Sequence, residues 1–160
     1  MLTRRTALKG LTAIASAGLL QFRSARAGGN DHVVLSDAEW RARLTPQQYE
    51  ILRKEGTEAP FTSPLLHEER KGVFACAGCG LDLFSSSTKF DSGTGWPSFW
   101  APLDNAVDTH VDKTFGMIRS AVACRRCEGH LGHVFDDGPK PTGLRYCMDG
   151  LALSFKPATA

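Results

Sequence analysis

The sequence has no apolar run long enough to cross a membrane, no internal repeat and, after residue 54, no long helical period. A membrane-spanning helix needs about 20 apolar residues, and the stretch between Lys9 and Gln21 is shorter than that. Without helical periodicity, the chain after residue 54 is not expected to be a helical bundle. The length of 160 residues is typical of one domain.

The first 27 residues lack acidic side chains and carry five basic ones. Adjacent Arg4 and Arg5, the apolar stretch after them and the small-residue motif Ala25-Arg26-Ala27 are typical of a cleaved export signal over residues 1–27. The paired arginines favour the twin-arginine type over an ordinary secretory signal. We therefore expect an exported, periplasmic protein whose mature chain begins at Gly28.

The net charge of +2 belongs to this leader. Of the 19 Lys and Arg residues, five lie in the leader, so 14 remain against 17 Asp and Glu, a net charge of −3. Nucleic-acid binding requires a basic face, and this balance argues against it. The remaining roughly 130 residues can bury a core, although a small one.

Residues 37–54 have the pattern of two short helices divided by Pro46. Ser36 is a good N-cap, and Glu39 three residues later completes a capping-box pattern. From Gly72 onward, short apolar runs separated by Gly, Pro, Asp and Asn are typical of short antiparallel strands. These runs are Val73–Ala75, Phe115–Ile118 and Leu151–Phe155. The sequence therefore predicts a mainly β fold with short N-terminal helices.

Four of the five cysteines form two pairs, each with two intervening residues: Cys76 and Cys79, and Cys124 and Cys127. Two such pairs on tight turns supply the four thiolates of a closed structural zinc site. Disulfides are an alternative in an exported protein, a pair can be a redox dithiol, and iron accepts the same ligands. Two pairs in one short chain favour zinc.

The fifth cysteine, Cys147, is a reactive thiol, a buried inert thiol or an intermolecular cross-link. Arg145 lies two residues earlier and would share its face of a strand. A nearby guanidinium stabilises a thiolate and lowers the thiol pKa. This pairing favours a reactive cysteine.

Two further clusters are ambiguous by themselves. The run Gly93–Trp100 places Trp96 and Trp100 in a Gly-rich loop, which suits either the core or the rigid wall of a pocket. His130 and His133 lie three residues apart and are either a surface pair or general acids. The other histidines belong to no motif, and we expect them to be solvated or structural: His32, His67 and His110.

Taken together, residues 36–157 resemble the methionine-R-sulfoxide reductase (MsrB) family. The resemblance rests on the two cysteine pairs and on the runs 89–99, 129–135 and 138–147. It implies one domain over residues 36–157, preceded by a segment at 28–35. It also implies two antiparallel sheets with short N-terminal helices, and a structural zinc ion away from the active site.

The resemblance implies an enzyme that uses thiols to reduce methionine-R-sulfoxide, in proteins or free, and so repairs oxidised proteins. The reaction would pass through a cysteine sulfenic acid, with zinc and no organic cofactor. The catalytic residues of the family would be the nucleophile Cys147 together with His133, His130, Arg145 and Asp137. Its substrate-binding residues would be Trp96, Phe135 and Asp149.

Two positions depart from the family pattern. Thr94 stands where the family commonly has a resolving cysteine, so we expect no internal disulfide and an external reductant, either a thioredoxin-like protein or a small thiol. Asp149 stands where the family usually has Asn. An ionised carboxylate cannot donate a hydrogen bond as an amide does, so Asp149 would be protonated or would alter the local water network.

Two other functions compete with the reductase. One is a non-catalytic zinc-binding β module in which Cys147 is merely buried, and the other is a peroxide sensor in which this thiol is the switch. The joint presence of Cys147, His133 and Trp96 with an arginine favours the reductase, because a binding module has no need of that combination.

Overall fold

The computed structural model describes residues 31–113, 116 and 118–159. The predicted export signal at 1–27 lies outside the described residues, as does the beginning of the segment at 28–35. Among the residues described, no helix is long and apolar enough to cross a membrane.

The N-terminal helices are α1 (Asp37–Arg43) and α2 (Pro46–Lys54). Ser36 and Glu39 form the predicted capping box at the start of α1. Thr45 begins α2 with a second capping box, and the proline at the first helical position costs no hydrogen bond there. The predicted division of the helical region at Pro46 is confirmed.

Within the described ranges, nine strands form two antiparallel sheets, which confirms the predicted fold class. The three-stranded sheet has the order β2–β1–β9 and the six-stranded sheet the order β3–β4–β8–β7–β6–β5. The strands are β1 (Gly72–Cys76), β2 (Asp82–Ser85), β3 (Lys89–Phe90), β4 (Ser98–Phe99), β5 (Val107–Asp112), β6 (Arg119–Cys124), β7 (His130–Phe135), β8 (Arg145–Met148) and β9 (Leu153–Pro157).

Two of the apolar runs are not strands over their whole length. The run Leu151–Phe155 begins within a 3-10 turn at Gly150–Ala152, and β9 starts only at Leu153. Gly116 and Ile118 lie between β5 and β6, so the prediction of a strand is wrong for them. The φ angle of Gly116 is +72°, a turn conformation that a continuous strand does not contain.

Three buried phenylalanines join the two sheets. The ring centroid of Phe99 on β4 lies 4.9 Å from that of Phe74 on β1 and 4.4 Å from that of Phe84 on β2. All three rings are fully buried, and such contacts add to the stability gained from burial alone. Because side chains alternate along a strand, this packing turns the preceding residue, Ser98, away from the rings of the opposite sheet.

The helices cover the end of the six-stranded sheet that carries the second cysteine pair. Trp40 of α1 and Leu52 of α2 are buried in the same core as the strands. The Nη1 atom of Arg53 donates a hydrogen bond to the carbonyl oxygen of Cys127 at 2.9 Å. The helical region is therefore tied to the backbone of the cysteine cluster.

Replacement of Gly132 by alanine tests how tightly β7 and β8 must pair. The φ angle of Gly132 is +146°, and a Cβ atom there would lie only 2.2 Å from the carbonyl oxygen of Cys147. We expect Gly132→Ala to lower the free energy of unfolding in urea by about 2 kcal/mol or more. Gly78→Ala is the control, since its nearest neighbour would be 3.5 Å away. Equal losses in the two variants would contradict the predicted clash.

Candidate active site and metal centre

Cys147 lies in a strand that is hydrogen-bonded on both sides. In the register of the six-stranded sheet, it is directly opposite Ser98 of β4 and His133 of β7. Directly opposite residues in antiparallel strands point to the same face, with neighbouring side chains about 5 Å apart. The sheet therefore sets a hydroxyl and an imidazole on the two sides of the thiol.

A β-bulge brings the two motif histidines together. On a regular strand, residues three apart point to opposite faces. Consecutive residues of β6 pair with Gly132 and with His130, so Leu131 is an extra residue without a partner in β6. The bulge restores a common face, and the ring centroids of His130 and His133 are 5.3 Å apart.

Cys147 and His133 line a cavity of about 110 Å³. The remaining described lining residues are Thr57, Trp96, Arg119, Gly132, Phe135 and Asp149. Five of the eight predicted active-site residues therefore meet at this cavity. It is smaller than the roughly 300–1,000 Å³ typical of pockets for drug-sized ligands, and it suits the end of a side chain.

His130 does not line the cavity but lies behind His133. Its exposure is only 4%, and neither ring nitrogen has a hydrogen-bond partner among the described residues. Burial is the main reason that the pKa of His130 is lowered to about 4. This imidazole is therefore neutral at pH 7.

His133 contacts an acidic residue that the sequence motifs did not reveal. Its Nε2 atom is 2.9 Å from Oδ2 of Asp112, and Arg119 donates to the same oxygen at 2.6 Å. Burial lowers the pKa of His133, whereas the hydrogen bond to Asp112 opposes that shift. Asp112 and Arg119 face each other across β5 and β6, so only the strand register could have placed them at the site.

Arg145 and Asp137 form a two-pronged ion pair at the edge of the site. The Nε and Nη2 atoms of Arg145 donate to the two carboxylate oxygens of Asp137, both at 2.8 Å. The guanidinium also lies 4.4 Å above the ring of Phe135. Asp137 is exposed and lies outside the cavity lining, so its direct effect is on the position of Arg145.

The Cys147 thiol differs from the sequence-based expectation. Arg145 does favour the thiolate, as does a contact of 3.7 Å between Thr94 Oγ1 and Cys147 Sγ. Burial outweighs both effects and raises the pKa of Cys147 above its ordinary value. The expected low pKa is therefore wrong for the protein alone, and the thiol is protonated at neutral pH.

Two serines that the sequence did not single out complete the surroundings of the thiol. The Ser92 hydroxyl is 2.8 Å from the hydroxyl of Thr94 and 2.7 Å from that of Ser98. Both of these hydroxyls lower the pKa of the Cys147 thiol, in opposition to burial. Ser92 therefore links the Gly-rich loop to β4 around the sulfur atom.

The four paired cysteines are positioned to bind one metal ion. Their sulfur atoms all lie within 4.8 Å of one another, with 3.7 Å from Cys76 to Cys127 and 3.5 Å from Cys79 to Cys124. Tetrahedral zinc with Zn–S bonds of about 2.3 Å separates its ligands by about 3.8 Å. A disulfide needs about 2.05 Å. The cluster fits zinc, which would cross-link the fold.

The two metal-binding turns have the same backbone geometry. In each, the amide four residues after the first cysteine donates to the carbonyl of that cysteine at 2.8 Å: Gly80 to Cys76, and Glu128 to Cys124. Both donors have a left-handed backbone, with φ of +75° for Gly80 and +57° for Glu128. Two hairpin turns of equal shape thus present their sulfurs to one point.

These two sites have separate tasks. A closed cluster of four thiolates leaves no coordination position for a substrate and is structural. A thiol at the wall of a cavity, flanked by imidazole and guanidinium groups, can exchange oxygen or electrons with a bound molecule. Fold and sites together define a thiol-dependent oxidoreductase.

Comparison with known proteins identifies the family. The SelR domain matches residues 44–157. Relatives named peptide methionine sulfoxide reductase MsrB occur in Agrobacterium fabrum, with 55% identity over 76% of this chain and 91% of the relative, and in Thiobacillus denitrificans, with 56% identity over 76% and 93%. One from Methanosarcina mazei is 51% identical over 75% and 86%. The chain belongs to the MsrB family, as the sequence motifs predicted.

Loss of one metal ligand should separate the two sites experimentally. We expect Cys76→Ser to lose zinc and to melt at a lower temperature, because a structural four-thiolate site contributes directly to folding. Metal analysis and thermal unfolding measure both effects. Cys147→Ser is the matched control and should keep about one zinc per chain. Loss of zinc from the control, or its retention in Cys76→Ser, would contradict this assignment.

Proposed function

We propose that this chain reduces methionine-R-sulfoxide, in proteins or free, and so repairs oxidised proteins. The observation that carries the proposal is the convergence of Cys147, His133 and Trp96 on one small cavity. The relatives named above are methionine sulfoxide reductases by their printed names. The volume of about 110 Å³ suits a methylsulfinyl group at the end of a side chain.

The reaction is an oxygen transfer to sulfur. The sulfoxide sulfur becomes electrophilic when its oxygen is protonated or strongly hydrogen-bonded. The Cys147 sulfur then attacks, two electrons pass to the substrate sulfur, and the oxygen ends on Cys147 as a sulfenic acid. Thiol plus sulfoxide gives sulfenic acid plus sulfide, so the proton leaving the thiol balances the one that the oxygen takes up.

His133 is the proposed partner of the sulfoxide oxygen, with His130 packed behind it. A protonated imidazole donates from either nitrogen. The contact of His133 with Asp112 favours that form, while burial keeps the pKa of His133 below its ordinary value. His130 then contributes by fixing the ring of His133, since its own ring is buried and neutral.

Trp96 and Phe135 are proposed to hold the methyl group and the neighbouring methylenes. The indole is fixed because its Nε1 atom donates to the carbonyl oxygen of Glu58 at 3.2 Å. Burial of one methyl group on such a wall gains about 0.8 kcal/mol. The two sulfoxide epimers exchange oxygen and lone pair when the methyl is held, so a fixed wall selects one epimer.

Arg145 is proposed to stabilise the thiolate as it forms, with Asp137 holding the guanidinium in place. The ion pair raises the pKa of Arg145 and lowers that of Asp137, so both remain charged. As substrate fills the cavity, water leaves and the attraction between guanidinium and thiolate strengthens. Arg145 therefore acts on the reacting sulfur and Asp137 on Arg145.

An external thiol is proposed to regenerate Cys147. The other four cysteines are grouped at the metal centre, and Thr94 occupies the neighbouring position in the loop. One external thiol displaces water from the sulfenic acid to give a mixed disulfide, and a second thiol releases Cys147. A thioredoxin-like protein or a small thiol supplies both equivalents.

We further propose that the protein is exported to the periplasm through a twin-arginine-type signal. The support is the sequence pattern of residues 1–27, and the family match begins only at residue 44. Fusion of residues 1–35 to a reporter tests this directly. Replacement of Arg4 and Arg5 by lysine should abolish export of a folded reporter, whereas unchanged export would refute the twin-arginine assignment.

The decisive test is a stereospecific assay with dithiothreitol as reductant. We expect turnover of methionine-R-sulfoxide and none of the S epimer, because the wall at Trp96 holds only one epimer with its sulfur toward Cys147. Cys147→Ser should lose at least a thousandfold in kcat/KM, since serine is a far weaker nucleophile. Chiral chromatography of the products measures both outcomes.

The same assay separates the competing functions. Failure to reduce the R epimer, or full activity in Cys147→Ser, would exclude the reductase. Exposure to equal concentrations of hydrogen peroxide and R-sulfoxide addresses the sensor: rapid oxidation by peroxide with little sulfoxide turnover would favour a peroxide-sensing thiol.

Introduction of a resolving cysteine tests the recycling scheme. The hydroxyl of Thr94 lies 3.7 Å from the Cys147 sulfur, so Thr94→Cys places a second thiol within reach. After one turnover, we expect mass spectrometry to find a disulfide joining positions 94 and 147, with loss of water. The control is Thr109→Cys, on the exposed side of β5. A lasting sulfenic acid in Thr94→Cys would contradict the scheme.

A further inference from the structure

The cavity contains a buried carboxylic acid that the proposed reaction at Cys147 does not use. Asp149 follows Cys147 by two residues and is the only carboxyl among the described residues that line the cavity. Its exposure is only 3%. Such a group beside a nucleophile calls for an explanation, because burial of a charged carboxylate is costly.

The carboxyl of Asp149 is held in one orientation. Its Oδ1 atom accepts a hydrogen bond from the amide of Glu58 at 2.9 Å, and its own amide donates to the carbonyl of Leu131 at 2.8 Å. No other hydrogen bond to the carboxyl is present among the described residues. This leaves Oδ2 as the oxygen that can carry a proton while Oδ1 remains an acceptor.

A second buried carboxyl decides where the negative charge resides. Glu58 is 8% exposed, and its two oxygens accept from the amides of Gly150 at 2.5 Å and Leu151 at 3.1 Å. Two amide donors favour the ionised form of Glu58, whereas Asp149 accepts only one. Burial raises the pKa of Glu58 as well, but two amide donors oppose that shift, against one at Asp149. We therefore place the negative charge on Glu58 and the proton on Asp149.

We propose that Asp149 is a proton donor to the sulfoxide oxygen, acting from the same cavity wall as Cys147 and in addition to His133. This inference rests on the proposed reductase function. The proton passes from Oδ2 to the substrate oxygen as the Cys147 sulfur attacks, and the proton released by the thiol returns Asp149 to its acid form. No further reactant is needed for this step.

Near neutral pH, Asp149 supplements His133, because the lowered pKa of His133 leaves that imidazole mostly neutral. A carboxylate only accepts hydrogen bonds, so the contact with Asp112 places a proton of His133 on Nε2, directed at Asp112. Burial lowers the pKa of His133 and of His130. Arg119 also lines the cavity, but a guanidinium does not give up its proton.

The pKa of Asp149 has the value that a donor near neutrality requires. Burial is the main cause that raises it to about 7, with a smaller contribution from the charge of Glu58. The protonated form therefore predominates below pH 7 and is lost above it. The ionised form would also oppose a thiolate at Cys147, since the negative charge of Asp149 raises the pKa of that thiol.

The test compares the pH dependence of the wild type with that of Asp149→Asn. The amide keeps the shape and an N–H donor but has no proton to transfer. Each pH unit above the pKa reduces the protonated fraction about tenfold. The ratio of wild-type to variant kcat/KM for the R-sulfoxide should therefore fall at least about tenfold from pH 6 to pH 8.5. Titration of Cys147 affects kcat/KM of both proteins, so most of its effect cancels in the ratio.

Controls keep the outcome decisive. Asp108→Asn, on the exposed part of β5, should follow the wild type at every pH.

Infrared spectra report the acid directly. A protonated-carboxyl band that is present at pH 6, lost by pH 8.5 and absent from Asp149→Asn supports the proposal, even if that variant is too unstable for kinetics. Active proteins with a constant ratio, or no such band, would overturn it. Absence of R-sulfoxide turnover in the wild type would instead refute the proposed function itself.

Discussion

The pairing of β8 with strands on both of its sides is the constraint on which the rest of the site depends. The position of Cys147 relative to Ser98 and His133 is set by strand register, because each is its direct partner across a hydrogen-bonded ladder. The ladder is held in turn by the phenylalanine cluster that packs β4 against the three-stranded sheet. Chemistry at the sulfur is thus precise because the opposite face of the same strands is tightly packed.

Burial, more than charge, sets the protonation states around the sulfur. The sequence places Arg145 near Cys147 and so suggests a thiolate. The half-buried sulfur nevertheless keeps its proton, because the loss of hydration disfavours the thiolate more than the guanidinium stabilises it. The same loss of water makes His130 neutral and raises the pKa of Asp149 to about 7. Reacting groups that are uncharged at rest suit an uncharged, strongly dipolar substrate. Charge separation is then needed only while the reaction proceeds.

Much of the fold and the site could be predicted from local patterns. The capping box at Ser36 and the break at Pro46 depend only on near neighbours in the chain, and the spacing of each cysteine pair is itself the metal-binding signal. Asp112, Arg119 and Glu58 belong to no motif, because they reach the site through strand register and a long loop. The raised pKa of Cys147 was also beyond prediction, since composition indicates nearby charge but not the extent of burial.

The extra residue at Leu131 changes how β7 relates sequence to space. On either side of the bulge, the alternation of side chains between the two faces of the sheet is offset by one residue. Residues an odd number apart therefore share a face when Leu131 lies between them. The number of residues between the two histidines therefore determines whether their rings share a face. A homologue could exchange either imidazole for another side chain and keep the architecture, but a change of one residue in the spacing would send one ring to the far side of the sheet. In this strand, geometry restricts the spacing of the residues more tightly than their identity.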